Sequence, residues 1–186
     1  FNISFWTLTT SVKSLFFLFH FISGFFLIIP RPEQGTSNNT LSAFATALLC
    51  TIWMVIANAT GLLGWAGFAG CTAYFAGPKK GVSALPLTFA CVGSGVAYAL
   101  ISVHLGNQID FAQIGLVFTF VTTFLMCAGG KIGIISFVPG AFMGSFSTFA
   151  AGGDFMIIPS IAAGIILGLC CDTLGKKLCA MFGSEE

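Results

Sequence analysis

The sequence predicts an all-α integral membrane protein: a six-helix bundle of two inverted three-helix repeats, plus one extra N-terminal transmembrane helix. Of its 186 residues, 56% are hydrophobic and only 7% are charged, and the mean hydropathy is +0.99. A water-soluble chain could not cover its surface with so few charges. Apolar stretches of membrane-spanning length recur along the chain, and a net charge of +1 argues against nucleic acid as a partner.

The first apolar segment covers about residues 5–29 and ends at Pro30, where proline stops a helix. It predicts an additional transmembrane helix within residues 1–30. Lys13 and His20 lie about two helical turns apart on one face, so either Lys13 snorkels to the membrane surface or this face docks onto a larger assembly. The polar residues 31–40 predict a linker. Because Phe1 is not a methionine, we expect that residues can precede it.

Six further apolar segments follow the linker and form the predicted membrane domain, residues 41–174. Three of them make a first repeat, about 41–105, and three make a second repeat, about 110–174. The remaining residues, 175–186, are predicted to be a tail on the cytoplasm-equivalent side. The predicted segments are 41–59, 61–77, 82–105, 111–129, 133–151 and 155–174.

Charged residues between the segments are segregated by sign if all six segments cross the membrane. Lysine and arginine collect in cytoplasmic loops, so the basic end is expected to face the cytoplasm or its organellar equivalent. Re-entrant loops at 61–77 and 133–151 would destroy this segregation, which favours full crossings. The compartment is a bacterial inner membrane, or an organellar inner or thylakoid membrane. The joint lysines on the basic side are Lys79, Lys80, Lys131, Lys176 and Lys177, whereas Asp110 and Asp154 lie opposite.

The second and fifth of the six segments are rich in small residues and resemble each other. Aligning 67–76 with 141–150 matches Phe68 with Phe142 and Gly70 with Gly144, and nearly the same shift brings Pro86 beside Pro159. A repeat of three crossings reverses its direction in the second copy, as in many transporters. Composition alone also produces some of these matches, so coincidence remains the alternative.

Small residues allow helices to approach closely, which places these two segments at the centre of the bundle. We expect the phenylalanines to pack around the axis and Pro139 to interrupt the hydrogen bonds of its helix. The hydroxyl groups either line a narrow polar path or bond to backbone carbonyls. The residues predicted for the pathway or central packing are Gly67, Phe68, Gly70, Thr72, Phe75, Pro139, Gly140, Phe142, Gly144, Thr148 and Phe149.

Enzymatic chemistry has little support, because no nucleophile lies near a base in the sequence and the acidic residues occur singly. We therefore predict no enzyme, no metal site and no resident cofactor. Ligation of haem or chlorophyll by His20 or His104 is the alternative to an ordinary interfacial role for these histidines. The seven cysteines lack paired spacing and are interpreted as small buried hydrophobic residues.

Two strings carry a resemblance to a known family: LLGWAGFAGCTAYFA at 62–76 and SFVPGAF at 136–142. They resemble the small YcdZ-like inner-membrane proteins of bacteria, domain-of-unknown-function family 1097, and the resemblance covers about residues 41–174. It implies an integral membrane protein without an established substrate. Residues 1–40 are a departure from this family, and suggest an organellar version in a eukaryote.

Two classes of function are compatible with the sequence. The first is a channel or transporter for a small solute that passes through the glycine-rich centre of the bundle; without a carboxylate in mid-span, passive conduction is expected. The second is an accessory subunit of a respiratory or photosynthetic membrane complex that contacts neighbours, lipids or pigments. The expected partners are membrane lipids, with either further copies of the chain or other subunits.

Overall fold

The structure, a computed structural model, describes residues 36–109 and 114–182 of the chain. The predicted N-terminal helix, with the proposed docking face of Lys13 and His20, lies outside these residues. The described part contains six α-helices and two short 3₁₀ turns, at Val82–Ala84 and Gly133–Ile135, and no strand. The helices are α1 (Thr36–Thr60), α2 (Gly64–Ala76), α3 (Leu85–Gly106), α4 (Ile114–Gly129), α5 (Val138–Ala150) and α6 (Ile157–Phe182).

Several helix boundaries differ from those predicted from the sequence. Residues 36–40, expected in the linker, already belong to α1, and α6 continues through the predicted tail to Phe182. Pro139 occupies the first turn of α5 rather than its interior. The expectation that Pro139 breaks this helix is therefore wrong, because a residue in the first turn has no intrahelical acceptor for an N–H.

Within residues 36–109 and 114–182, three helical segments are long and apolar enough to cross a membrane: Thr40–Thr60, Val82–Gly106 and Ile157–Phe182. The apolar helix Ile114–Gly129 is shorter. Helices α2 and α5 have 13 residues each, so each rises about 20 Å, which is less than the ~30 Å hydrocarbon core of a bilayer. These two helices would need their flanking residues to complete a crossing.

The six helices form two groups of three, and each group mixes the two halves of the sequence. In the first helix group, α2 and α1 both pack extensively against α6. In the second helix group, α5 and α4 pack against α3. The third helix of each sequence half therefore packs mainly with helices of the other half, a swap that the sequence did not predict.

The first helix group has its own apolar core, and a second core joins the two groups. Trp53 of α1 anchors the first core, and its indole N–H donates a hydrogen bond of 2.9 Å to the Gly64 carbonyl at the start of α2. The second core combines alanines of α2 with aliphatic side chains of α3 and α6. Its buried members are Ala66, Ala73, Val92, Val96, Ile157, Ile161 and Ile165.

Contacts along the helices establish their relative directions. At the start of α2 the Leu63 N–H donates to Ser160 Oγ at 2.9 Å, and near its end Tyr74 bonds to Asp172. Helices α2 and α6 are therefore parallel. Ser42, early in α1, contacts Cys179, late in α6, so α1 is antiparallel to both.

Candidate functional site

Glycine allows close helix approaches in both helix groups. A Cβ atom added to Gly70 of α2 would overlap the carbonyl oxygen of Ile161 in α6. A Cβ atom added to Gly144 of α5 would likewise overlap the carbonyl oxygen of Val92 in α3. Backbone atoms cannot rotate away, so both positions require glycine. Both glycines are among the residues that the sequence predicts for the pathway or central packing.

The remaining small residues predicted for the site occupy the same contacts. Gly67 packs against Trp53, whose indole atoms lie where a Cβ on Gly67 would be. The carbonyl oxygen of Gly67 contacts Gly164 of α6. Gly140 is buried against the ring of Phe137 and the Cβ of Cys91. These glycines join helices within each group, and Pro139 is exposed at the start of α5.

The phenylalanines do not assemble around the centre as expected. Phe68 and Phe75 pack on the core of the first helix group, beside Trp53 and Leu167. The side chain of Phe142 is 40% exposed, while Phe149 is half-buried. The centre is filled instead by small and aliphatic residues, because only these fit between helices that approach so closely.

The hydroxyl groups of the predicted path differ in their bonding. Thr148 is fully buried and donates to the Gly144 carbonyl at 2.9 Å, which is the backbone alternative considered from the sequence. The Thr72 side chain is half-buried. Ser147, next to Thr148, is fully buried, and its hydroxyl oxygen has no hydrogen-bond partner among the described residues.

A polar cluster lies at the end of the bundle that carries the lysines, and we call it the basic-end cluster. The Tyr74 hydroxyl donates to Asp172 Oδ2 at 2.9 Å, and Lys176 Nζ reaches the same oxygen at 2.8 Å. The Gly81 N–H donates to the Tyr74 hydroxyl at 2.7 Å and approaches the carboxylate at 3.3 Å. Gly81 has a φ of +69°, a conformation that glycine adopts without strain.

Lys80 completes the basic-end cluster. Its ammonium donates to the Phe75 carbonyl and lies 6.0 Å from the centre of the Tyr74 ring. Although the side chain as a whole is exposed, partial burial of the ammonium lowers the pKa of Lys80. The charge of Lys176 acts in the same direction, and that of Asp172 opposes both. The cluster thus ties the turn between α2 and α3 to α6.

Sequence reasoning missed this cluster, because Tyr74 and Asp172 are 98 positions apart. The available signal was a lone aspartate four residues before a lysine near the end of an apolar helix. A carboxylate at that depth requires partners, but the sequence does not identify the tyrosine that supplies one.

The remaining candidates for ligation are a cysteine cluster and one histidine. The thiols of Cys50, Cys71 and Cys171, one from each helix of the first group, lie close to one another. In the described part of the chain, no group of three or more His, Cys, Asp or Glu side chains could hold a metal ion. The Nδ1 atom of His104 lies 2.9 Å from the Leu100 carbonyl of its own helix, and its ring packs near Phe155.

Comparison with known proteins agrees with the apolar composition of the chain. The family described as "Protein of unknown function (DUF1097)" matches residues 43–176. The chain is 41% identical over 140 residues to the "Inner membrane protein YcdZ" of Escherichia coli, covering 74% of this chain and 86% of that protein. The protein of the same name from Salmonella typhimurium is 42% identical over 128 residues, covering 68% and 80% respectively.

No solved structure matches the chain. The matched family region agrees with the 41–174 region in which the sequence showed its resemblance, and it contains both helix groups. Three segments are long and apolar enough to cross a bilayer, and both relatives are inner membrane proteins by name. The chain is therefore a membrane protein that belongs to the family of unknown function DUF1097.

Proposed function

We propose that this protein is a channel or transporter for a small neutral solute, built from two inverted halves, with its path between α2 and α5. The observation that carries the proposal is a match between the buried positions of the two halves. The match extends over helix pairs of different sequence, so it is more specific than the shared abundance of glycine and alanine.

In α2 and α5 every buried position has a counterpart when Gly70 is aligned with Gly144. The buried residues of α2 are Ala66, Gly67, Gly70, Cys71, Ala73 and Tyr74, and those of α5 are Gly140, Ala141, Gly144, Ser145, Ser147 and Thr148. This is the alignment that the sequence suggested for these two segments.

In α3 and α6 the match requires Gly95 to be aligned with Gly164. The buried residues of α3 are Thr88, Cys91, Val92, Gly95, Val96, Ala99 and Ser102, and their counterparts Ile157, Ser160, Ile161, Gly164, Ile165, Gly168 and Cys171 are all buried. Helix α6 buries Leu167 and Gly175 in addition. The shift pairs Pro86 with Phe155, so the alignment of Pro86 with Pro159 is not supported.

The close contacts follow the same relation. Gly70 meets the backbone of α6 as Gly144 meets the backbone of α3, and Gly164 meets Gly67 as Gly95 meets Ala141. Helices α2 and α6 are parallel, as expected for the second and the sixth of six crossings that alternate in direction. Extended residues before α2 and after it would lengthen its crossing beyond the helix itself.

This arrangement suggests how a solute could pass. The tight glycine contacts make α2 with α6, and α3 with α5, the rigid pairs, whereas α2 and α5 make a smaller contact across the groups. Movement of one helix group against the other would alter the space between α2 and α5 without breaking either rigid pair. Neither helix contains a charged residue, which favours a neutral solute and a passage without covalent chemistry.

The basic-end cluster supports the proposal that the lysines lie at one end of the bundle. Gly81, next to Lys80, and Lys176 both contact Asp172, so residues 79–80 and 176–177 lie at the same end of the bundle. Lys131 belongs to the joint before α5, whose Ile134 carbonyl accepts a bond from the Cys91 thiol near the start of α3. We assign this end to the cytoplasm or its organellar equivalent.

The test is solute flux in proteoliposomes, with water, glycerol and urea as neutral probes and a charged amino acid for comparison. A Thr72→Trp variant should reduce flux of the conducted probe at least tenfold if α2 borders the path. A Leu116→Trp variant is the matched control, because Leu116 on α4 is 71% exposed on the outer surface of the described part. Far-UV circular dichroism and gel filtration establish that both variants are folded.

Two results would overturn the proposal. The first is that folded protein conducts none of the probes faster than protein-free vesicles do. Recovery from mild detergent as a single copy among different subunits is the other, and it would make the chain an accessory subunit instead.

A further inference from the structure

The fold brings two separate pairs of lysines to one place. Lys79 and Lys80 belong to the turn between α2 and α3, whereas Lys176 and Lys177 belong to α6. The two segments meet because Tyr74 and Gly81 both bond to Asp172, which also holds Lys176. All four lysine side chains are exposed.

One carboxylate cannot neutralise these four ammonium groups. Asp172 Oδ2 lies 2.8 Å from Lys176, so its charge is largely satisfied by this ion pair. Lys80 donates to a backbone carbonyl instead of an anion, and the positive charge of Lys176 is near enough to disfavour its protonation. Among the described residues, the site therefore carries an excess of positive charge that a bound anion would relieve.

The depth of the lysines suggests where that anion comes from. Gly81 is followed directly by Val82, whose side chain is 72% exposed and begins an apolar segment long enough to cross the membrane. The ammonium groups thus lie where an apolar surface gives way to polar residues, which is the level of lipid headgroups. An anionic phospholipid offers a phosphate to the lysines and acyl chains to the apolar surface below them.

We propose that Lys79, Lys80, Lys176 and Lys177 form a binding site for the headgroup of an anionic phospholipid. The lysines of the α2–α3 turn and those of α6 contact the phosphate together, and the basic-end cluster fixes the distance between them. This site is independent of the proposed solute path, since it lies at the end of the bundle and needs no conduction.

The test is native mass spectrometry of the detergent-solubilised full chain, titrated with phosphatidylglycerol or with phosphatidylcholine. The triple variant Lys79→Gln, Lys80→Gln, Lys177→Gln keeps the contacts of Tyr74, Gly81 and Lys176 with Asp172, which join the turn to α6. We expect affinity for phosphatidylglycerol to fall roughly fivefold for each lysine removed, with no change for phosphatidylcholine. The matched control is Lys131→Gln, an exposed lysine in a different joint.

Three results would contradict the proposal. Equal binding of the two lipids by the wild-type chain would remove the charge selectivity. A roughly fivefold loss of phosphatidylglycerol binding in Lys131→Gln, equal to the loss per lysine in the triple variant, would reduce the site to general charge attraction. Displacement of the lipid by millimolar inorganic phosphate would make the ligand a free anion rather than a phospholipid.

Discussion

Replacing Gly95 with alanine should separate α3 from α5, because the two helices touch at this residue through backbone atoms. A Cβ on Gly95 would overlap the carbonyl oxygen of Ala141 and also approach the backbone nitrogen of Ser145. Neither atom can move without displacing α5. Overpacking typically costs 1–3 kcal/mol, and we expect about 3 kcal/mol here because the clash is with backbone.

Gly93 provides the matched control in the same helix. A Cβ at this residue meets nothing within 4 Å, so Gly93→Ala should gain up to about 1 kcal/mol from the better helix propensity of alanine. The two variants make the same chemical change two positions apart. The expected difference between their free energies of unfolding is therefore about 3–4 kcal/mol.

The assay is reversible unfolding in mixed micelles of a mild detergent and dodecyl sulfate, followed by far-UV circular dichroism. Gly164→Ala tests the corresponding contact in the other helix group, where a Cβ would overlap the carbonyl oxygen of Gly67. It should cost about as much as Gly95→Ala. If Gly95→Ala unfolded at the same point as Gly93→Ala, the close packing of α3 on α5 would be refuted.

Three further predictions concern single side chains. Tyr74→Phe removes a hydrogen bond to a carboxylate and should lower the free energy of unfolding by about 1.5–3 kcal/mol in the same assay. An equal effect of Tyr98→Phe, at the other tyrosine, would contradict this. Ser147→Ala should leave stability unchanged or slightly higher, since the buried hydroxyl lacks a partner among the described residues. A loss of stability above about 1 kcal/mol would instead imply that this hydroxyl bonds to water or to a solute. An impermeant maleimide should label Lys79→Cys and Asp154→Cys from opposite sides of sealed vesicles, and labelling from one side would disprove six crossings.

The helices of the membrane domain were predictable because the lipid environment strongly constrains their sequence. A segment surrounded by hydrocarbon must be apolar and must satisfy its backbone internally, so the segments beginning near residues 41, 82 and 155 were visible from hydropathy. The two short helices were also visible, since their glycines and alanines set them apart. Their ends were less certain, because the same Pro139 either interrupts a helix or begins one, according to where the hydrogen bonds start.

The site was predictable in its small residues and not in its larger ones. Gly70 and Gly144 could be assigned to central packing because only a missing side chain allows such close approach. Phe68 could not be placed correctly, because a phenylalanine fits against any apolar neighbour, and here it packs on the core of the first helix group. Asp172 and Tyr74 illustrate the same limit for polar groups, since a hydrogen bond across 98 positions leaves no local pattern.

The sequence by itself determined that the chain is a membrane protein and that it contains two helices rich in small residues. These properties follow from local composition, which the bilayer selects directly. Only the tertiary structure decided that α6 packs with α1 and α2 while α3 packs with α4 and α5. The choice depends on which glycine faces meet at backbone distance, as Gly70 does with α6 and Gly144 with α3, and no property of one helix alone specifies its partner.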